Sequence, residues 1–234
     1  MRTIAKMILV IPALIGYHKT GADNLVAHEW GTFTSVAAAD GTSVQWAPVS
    51  GTPDLPCFVN RLSTENLKLA PGLVRMETPV LYLYSQSPQT ASVHVDFPQG
   101  WITEWYPQAT QVKPNLQAKH GWVSGKFGRG QIDWDSVQVS PGVNPVFPAT
   151  EGPSRYFKAR NTDSAPLQIG QEQEKFIFYR GMGDFSVPLQ PTFLNGHRLE
   201  LRNIGPDPIP LAIVFENRSG NLGFRAVHDL KDAA

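Results

Sequence analysis

Short segments in which polar and apolar residues alternate recur along the chain and are separated by turn-forming residues. In ASVHVDF, for example, Val93, Val95 and Phe97 alternate with His94 and Asp96, which is the period of a strand that buries one face. The chain contains 20 glycines and 20 prolines, which favour frequent turns, and it shows no long helical or heptad period. We therefore predict an all-β fold, an antiparallel, jelly-roll-like β-sandwich with long loops and little helix.

The candidate strands lie between groups of Gly, Pro, Asn or Asp, at spacings typical of antiparallel strands joined by turns. They are Ala27–Val36, Pro79–Tyr84, Ser92–Phe97, Trp101–Tyr106, Gln131–Val139, Arg155–Arg160, Lys175–Arg180, His197–Ile204, Pro210–Asn217 and Leu222–Val227. The segment Asn60–Pro71 matches neither the strand period nor the helix period, so it is either a short helix or a long loop.

The N-terminal residues have the layout of a secretory signal. Arg2 and Lys6 precede an apolar run, Met7–Tyr17, and small residues follow that run. We predict a signal peptide at residues 1–22 and, from it, a secreted or periplasmic protein. Because the apolar run is too short to anchor a chain in a bilayer, we expect no membrane span in the mature chain.

The rest of the chain, residues 23–234, is predicted to form a single β-sandwich domain, because its length suits one domain with a full hydrophobic core. The last residues, VHDLKDAA, carry no turn or cap signal. We therefore expect the natural polypeptide to continue beyond Ala234.

Charge and cysteine content exclude three classes of protein. The 20 basic and 20 acidic side chains give a formal net charge of zero, and the basic ones form no stripe, so we expect no nucleic-acid partner. The single cysteine, Cys57, excludes an internal disulfide framework and a cysteine-rich zinc site. We expect Cys57 to be a small buried side chain.

Four ionisable residues lie near predicted strand ends on faces that also carry apolar residues. Period-two alternation places Glu29 with Phe33, Glu77 with two leucines, Glu104 with Ile102 and Arg180 with two phenylalanines. These faces are expected to point inward, so the charged groups need partners there.

Arg180 is the expected partner of these carboxylates. The planar guanidinium can bind two carboxylate oxygens at once, so one or two of the three glutamates are expected to pair with it. A carboxyl group left over in a partly apolar cavity would have a raised pKa and could act as an acid or a base. The alternative interpretation, a structural Glu–Arg network that fixes strands together, is the one we favour at this stage.

Histidine spacing predicts no local metal site. The histidines are His18, His28, His94, His120, His197 and His228. None lies in an HxH, HxxxH or HExxH arrangement, so a metal site would have to be assembled from distant segments, with His28 beside Glu29 as its best starting point. We predict no metal and no cofactor. The chain also lacks the GxSxG motif of many serine hydrolases.

Tryptophans are numerous, and exposed rings on a sandwich would provide a surface for stacking sugars. Trp101 and Trp105 share one face in WITEWYP, on the side away from Ile102. They are the pair that we expect to be exposed and to bind a ligand, although burial is the default for large aromatic side chains.

Five segments, HEWGTFTSV, LPCFVNR, METPVLYLYS, ITEWYP and EKFIFYRG, together resemble a group of uncharacterised secreted bacterial proteins. The resemblance covers most of Val26–Arg180. It implies export and a shared β-rich domain, usually within a longer chain, and it implies no activity, cofactor or catalytic residue.

Two hypotheses about function follow. In the first, which we favour, the protein is a non-enzymatic exported β-sandwich that binds a glycan or a cell-envelope partner through aromatic and loop surfaces. In the second it is a glycan-directed hydrolase that uses Glu29, Glu77 or Glu104 together with Arg180 and His28. The sequence leaves open whether the protein is an enzyme.

Overall fold

The computed structural model describes residues 8–9, 25–45, 55–62, 74–77, 80–115, 128–149, 154–195 and 198–233. The strands are β1 (Ile8–Leu9), β2 (Val26–Trp30), β3 (Phe33–Ser35), β4 (Asn60–Arg61), β5 (Val74–Met76), β6 (Val80–Tyr84), β7 (Gln89–Phe97), β8 (Gly100–Tyr106), β9 (Gln111–Lys113), β10 (Gly130–Val139), β11 (Leu167–Ile169), β12 (Glu172–Glu174), β13 (Ile177–Gly183), β14 (Leu189–Leu194), β15 (Arg198–Asn203), β16 (Ile209–Arg218) and β17 (Asn221–Leu230). One 3-10 helix, Arg155–Arg160, interrupts them.

The prediction of an all-β sandwich is confirmed. The predicted signal peptide lies outside the described residues apart from Ile8 and Leu9, which form β1 and pair with β3. The segment predicted as helix or loop also lies outside them from residue 63 onwards. The prediction of a single domain stays a prediction. Cys57 is exposed, so its expected burial is wrong.

The main sheet is organised around β13, whose residues are all buried. Its strand order is β1-β3-β5-β13-β6-β2, with β8 also paired to β13 and β4 paired to β8. The pairings of β13 with β5, β6 and β8 are antiparallel. Because β13 has neighbours on both sides, its backbone hydrogen bonds are made within the sheet, which suits a buried apolar strand.

A second sheet packs against one face of the main sheet. Its order is β12-β11-β10-β7, with β9 also paired to β10. The core between the two sheets is almost fully buried and contains, from the second sheet, Ile132, Trp134, Val137, Val139, Leu167 and Ile169, and from the main sheet, Leu83, Trp101, Ile102, Trp105, Ile177, Tyr179 and Met182. Side chains that alternate along each strand thus interdigitate between the sheets, as in a β-sandwich.

The other face of the main sheet is also covered. An aromatic cluster there contains the buried residues Val59, Tyr82, Tyr106, Tyr156, Phe176 and Phe178. Tyr156 comes from the 3-10 helix, which therefore forms part of a third layer. The main sheet consequently has two inward faces rather than one.

The prediction that Arg155–Arg160 is a strand is wrong, because these residues form the 3-10 helix. Ser154 caps the helix, since its side chain accepts a hydrogen bond of 3.2 Å from the backbone N–H of Tyr156. Lys158 and Arg160 lie in the last turn, where positive charge interacts favourably with the helix end. The alternation in RYFKAR therefore reflects a short capped helix.

Two hairpins, β14–β15 and β16–β17, form a separate small core. Its buried residues are Leu189, Leu201, Ala212 and Leu230. On one face of the β16–β17 hairpin, Ala212, Val214 and Val227 pack against β14–β15, whereas the apolar side chains of the other face are exposed. Within the part of the chain that the structure describes, no helix has the length and apolar character needed to cross a bilayer.

Candidate functional site

Glu29 lies on β2, and its carboxyl group contacts a side chain of β13 in the same sheet. Its Oε1 accepts a hydrogen bond from the hydroxyl of Tyr179, which is buried. The residue as a whole is exposed, but its carboxyl group is partly buried. This burial raises the pKa of Glu29 above its usual range. Glu29 therefore faces the second sheet, on the same side of the main sheet as Tyr179.

Arg180 lies on the opposite face of the main sheet, because it follows Tyr179 directly in β13. It is buried, at 3% exposure. Its Nε donates a hydrogen bond to the backbone carbonyl of Glu77, and its Cζ lies 5.6 Å from the centroid of the Phe178 ring. The expectation that Arg180 shares a face with Phe178 is confirmed.

The strand continues through Gly183, so Arg180 is in mid-strand and its expected position at a strand end is wrong. The glycines after it reflect close packing rather than a turn. A Cβ on Gly181 would lie 2.7 Å from the carbonyl oxygen of Trp101, which only glycine avoids.

Glu104 lies directly opposite Arg180 in the pairing of β8 with β13, so their Cβ atoms are cross-strand neighbours. The Glu104 carboxylate, however, accepts its hydrogen bond from the hydroxyl of Thr103, at 2.7 Å. The Glu77 carboxylate lies 3.5 Å from Nε of Arg75.

The predicted gathering of three glutamates around Arg180 is therefore corrected. Arg180 lies beside Glu104 and the backbone of Glu77, whereas Glu29 belongs to the other face, and each carboxylate has its own described partner. The reason is that both faces of the main sheet are buried. Alternation correctly indicates that a side chain points inward. It does not indicate whether that side chain faces the second sheet or the aromatic cluster on the other side of the main sheet.

His28 does not join this group either. Its ring packs on that of Tyr84, with centroids 5.0 Å apart. Among the described residues, no set of three or more histidine, cysteine, aspartate or glutamate side chains is arranged to hold a metal ion.

Among the described residues, the most buried ion pair joins Glu174 to Arg160, two residues that sequence reasoning missed. Glu174 is fully buried, and Arg160 donates to both of its carboxylate oxygens, with Nε 2.9 Å from Oε1 and Nη2 2.7 Å from Oε2. Tyr156 donates its hydroxyl to Oε2 at 3.1 Å. Burial, and next the negative charge of Glu174, raise the pKa of Tyr156 far above its usual range.

Arg160 also fixes a loop of the structure. Its Nη2 donates to the carbonyl of Pro148 at 2.9 Å, and its Cζ lies 4.9 Å from the centroids of both Phe147 and Phe157. A guanidinium in this position combines an ion pair with cation–π contacts. The ion pair of Arg160 and Glu174 therefore connects the 3-10 helix, the loop at Phe147 and the end of β12. The serine cap before Tyr156 was the sequence signal that could have revealed this helix and its arginine.

The predicted exposure of Trp101 and Trp105 is wrong. They are 5% and 3% exposed and belong to the core between the sheets. They do share one face, but the second sheet covers that face, so they fill the core instead of forming a sugar-stacking surface. Among the described residues, the exposed aromatic side chains are others: Trp30, Phe193, Phe215 and Phe224.

Trp105 nevertheless lines a cleft, which we call the Trp105 cleft. Its volume is about 400 Å3, and it is formed by Leu62, Trp105 and the segment 108–115. The segment contributes the side chains of Gln108, Thr110, Gln111, Lys113 and Asn115. The indole Nε1–H of Trp105 is buried and has no hydrogen-bond partner among the described residues, which is costly for a buried donor.

A larger cleft, which we call the Phe147 cleft, has a volume of about 650 Å3. It is lined by Tyr84, Ser85, the segments 141–145 and 163–166, Phe147 and Lys175. Several of its polar groups are already paired within the protein. Nζ of Lys175 donates to the carbonyl of Ser164 at 2.5 Å, and Ser85 donates to the carbonyl of Ser87 at 2.6 Å.

The two clefts therefore differ in what they offer a ligand. In the Trp105 cleft, no hydrogen bond or ion pair within the described residues engages the side chains of Gln111 and Lys113 or the indole N–H of Trp105. In the Phe147 cleft, the positive charge and a serine hydroxyl are engaged. Binding sites combine an apolar wall with a few polar groups that are free to bond a ligand, so the smaller cleft is the better candidate site.

Comparisons with protein family models, with curated proteins and with solved structures find no match for this chain. The geometry of the site is therefore the basis on which a function can be proposed.

Proposed function

We propose that the protein is an exported β-sandwich protein that binds a glycan, and that the Trp105 cleft is its ligand site. The observation that carries the proposal is the composition of this cleft. The buried indole N–H of Trp105, which has no partner among the described residues, lies in the same cleft as the amide of Gln111 and the ammonium group of Lys113. Glycans present many hydroxyl groups, which both donate and accept, together with apolar C–H faces.

The cleft matches this chemistry group by group. Trp105 and Leu62 are buried apolar residues at its wall, and they supply the apolar side of a mixed binding site. Gln111 supplies an amide group that donates and accepts hydrogen bonds. Lys113 adds a positive charge, which favours a glycan that carries carboxylate groups.

The alternative function, a glycan-directed hydrolase, has less support. Glycoside hydrolysis commonly requires two carboxyl groups on either side of one bond. Glu29 lies on the opposite face of the main sheet from Arg180 and Glu104, and no carboxylate is among the residues that line the Trp105 cleft. A binding role therefore fits the geometry better.

Titration calorimetry tests the binding proposal. The complete chain is titrated with neutral oligosaccharides and with oligosaccharides that contain uronic acids, and we expect at least one to bind with a Kd in the micromolar to millimolar range. Gln111→Ala and Trp105→Phe should each weaken binding about tenfold or more, because each removes one donor from the cleft. Lys113→Gln should abolish any preference for the acidic ligands.

Phe147→Leu is the matched control, because it changes a half-buried aromatic side chain at the other cleft. Binding by this variant should equal that of the unaltered protein, and melting temperatures should show that every variant is folded. The proposal is overturned if no oligosaccharide binds, or if Phe147→Leu abolishes binding while the Trp105-cleft variants retain it.

Export is a separate part of the proposal. Expression of the chain in a bacterial host, followed by fractionation and mass measurement, should recover a periplasmic or secreted product that lacks residues 1–22. Recovery of the uncleaved chain in the cytoplasm would contradict export and would leave the binding proposal to its own test.

A further inference from the structure

The β16–β17 hairpin exposes a continuous apolar surface. The antiparallel register places Leu211, Ile213 and Phe215 on one face with Phe224 and Leu222. These five side chains are 41%, 51%, 62%, 79% and 66% exposed, in that order. We call this surface the hairpin face.

The hairpin face is large for an apolar surface in contact with water. Given the areas of large apolar side chains, the five residues expose roughly 500–600 Å2 together. This is at the upper end of the largest apolar patch that a typical monomer exposes, and patches of that size commonly mark interaction sites. A two-stranded hairpin is also only marginally stable without packing on its faces.

The inner face of the same hairpin shows how the outer face can be covered. Ala212, Val214 and Val227 alternate with the exposed residues and pack against Leu199 and Leu201 of the neighbouring hairpin. This packing is sheet against sheet, through aliphatic side chains. The outer face has the same flat geometry and still larger apolar side chains, so it suits another sheet surface.

The charge distribution distinguishes among partners. The remaining positions of the hairpin face are Asn217, Ala226 and His228, whereas Glu216 and Arg225 belong to the inner face by register. No Asp, Glu, Lys or Arg therefore lies on the hairpin face. A membrane-binding surface usually adds Lys or Arg around its apolar residues, and these are absent from this face. A face without charge can meet a copy of itself without like-charge repulsion.

We propose that the hairpin face is an interface between two copies of this chain. A two-fold axis would place each hairpin against its counterpart, so that the same residues bind each other. Two such faces would bury about 1,100 Å2 together, just below the range of about 1,200–2,000 Å2 that stable specific interfaces bury, so the dimer is expected to be weak. This inference is independent of the proposed glycan site.

Sedimentation velocity of the complete chain, from about 1 to about 200 µM, tests the proposal, since interfaces near the lower limit of size are weak and need high concentrations to be populated. We expect a reversible monomer–dimer equilibrium. Phe224→Asp and Phe215→Asp should each weaken dimerisation at least about thirtyfold, because they place a charge at the centre of an apolar interface. Phe193→Asp is the control, since Phe193 is 45% exposed on another hairpin, and it should leave the dimer intact.

Circular dichroism and melting temperatures establish that the variants are folded. A chain that is monomeric throughout the concentration range overturns the proposal. So does a dimer that persists in both hairpin-face variants. Binding of the monomer to vesicles of zwitterionic lipid, if lost in Phe224→Asp, would assign the face to membranes and would also overturn the proposal.

Discussion

The Trp105 cleft and the Phe147 cleft lie in one β-sandwich, and the comparison shows that volume alone does not identify a binding site. The Phe147 cleft is larger, about 650 Å3 against about 400 Å3. Its lysine, however, is engaged by a backbone carbonyl, whereas the Trp105 indole N–H has no partner among the described residues. Polar groups that already have hydrogen-bond partners within the protein contribute to its stability. Polar groups without such partners can instead form hydrogen bonds with a ligand.

The walls of the Phe147 cleft explain this difference. Arg160 contacts Phe147 and the Pro148 carbonyl while it binds the buried Glu174. Lys175, which lines the cleft, donates its backbone N–H to the same carboxylate at 2.8 Å. The Phe147 cleft is thus bounded by a structural network, and the comparison predicts large stability effects at that network and small ones at the Trp105 cleft.

The largest effect is expected for Arg160→Met, which leaves the carboxylate of Glu174 buried without its cation. We expect the free energy of unfolding to fall by about 3–5 kcal/mol, measured by chemical denaturation. Arg129→Gln is the control, because Arg129 binds Asp96 through two hydrogen bonds in an exposed pair, and it should have far less effect. Equal losses for the two variants would contradict the structural role of the buried pair.

A smaller loss is expected for Tyr156→Phe, which removes the hydroxyl that donates to Glu174 at 3.1 Å. A hydrogen bond to a buried charged group predicts a loss of about 1.5–3 kcal/mol. Tyr84→Phe removes a weaker contact, since its hydroxyl lies 3.4 Å from Oγ1 of Thr162, and it should cost about 0.5 kcal/mol or less. If Tyr84→Phe proved the more damaging change, the assignment of the network would be wrong.

At the Trp105 cleft, Trp105→Phe should change stability by about 1 kcal/mol or less, although the residue is 3% exposed. The smaller ring loses packing contacts, but the substitution also removes a buried donor that has no partner among the described residues, and the two effects oppose each other. The free energy of unfolding in the absence of ligand is the measurement. A loss of several kcal/mol would show that the indole N–H is satisfied.

The smallest effect concerns Glu29, away from both clefts. Because its pKa is raised in the folded protein by burial, the folded state holds this proton more tightly than the unfolded chain does. Stability is therefore greatest below the ordinary carboxyl pKa and falls as the pH rises through the folded pKa.

Glu29→Gln keeps an acceptor for the Tyr179 hydroxyl and removes the titration. Melting temperatures from pH 4 to pH 7 should consequently decline less in this variant than in the unaltered protein. Identical pH profiles for the two proteins would contradict the raised pKa.

The sequence was sufficient to predict the fold class, because two-residue alternation and the turn residues between strands are local signals. Alternation also assigned Arg180 correctly to the face of Phe178. It could not place Glu29 and Arg180 on different sides of one sheet, since that requires the order of strands and the presence of layers on both faces. These depend on contacts between residues that are distant in the chain.

The candidate site was less accessible to prediction from sequence. Trp105 was identified as a ligand-binding residue, but its expected exposure was wrong, because the second sheet that covers it is assembled from β7 before it and from β9 to β12 after it. The segment 108–115 gave no recognisable motif, and its side chains become a cleft only beside Leu62 and Trp105. The buried pair of Glu174 and Arg160 was missed because the helix that carries Arg160 resembles a strand in its pattern.

The most direct test of the Trp105 cleft as the ligand site follows the indole N–H of Trp105 by two-dimensional nuclear magnetic resonance during titration with an oligosaccharide that binds. The signal is identified by its absence from the Trp105→Phe spectrum. It should shift in proportion to saturation and exchange more slowly with solvent, because its proton then has an acceptor. A saturating ligand that leaves this signal unchanged, while it alters resonances of Tyr84 or Phe147, would contradict the assignment.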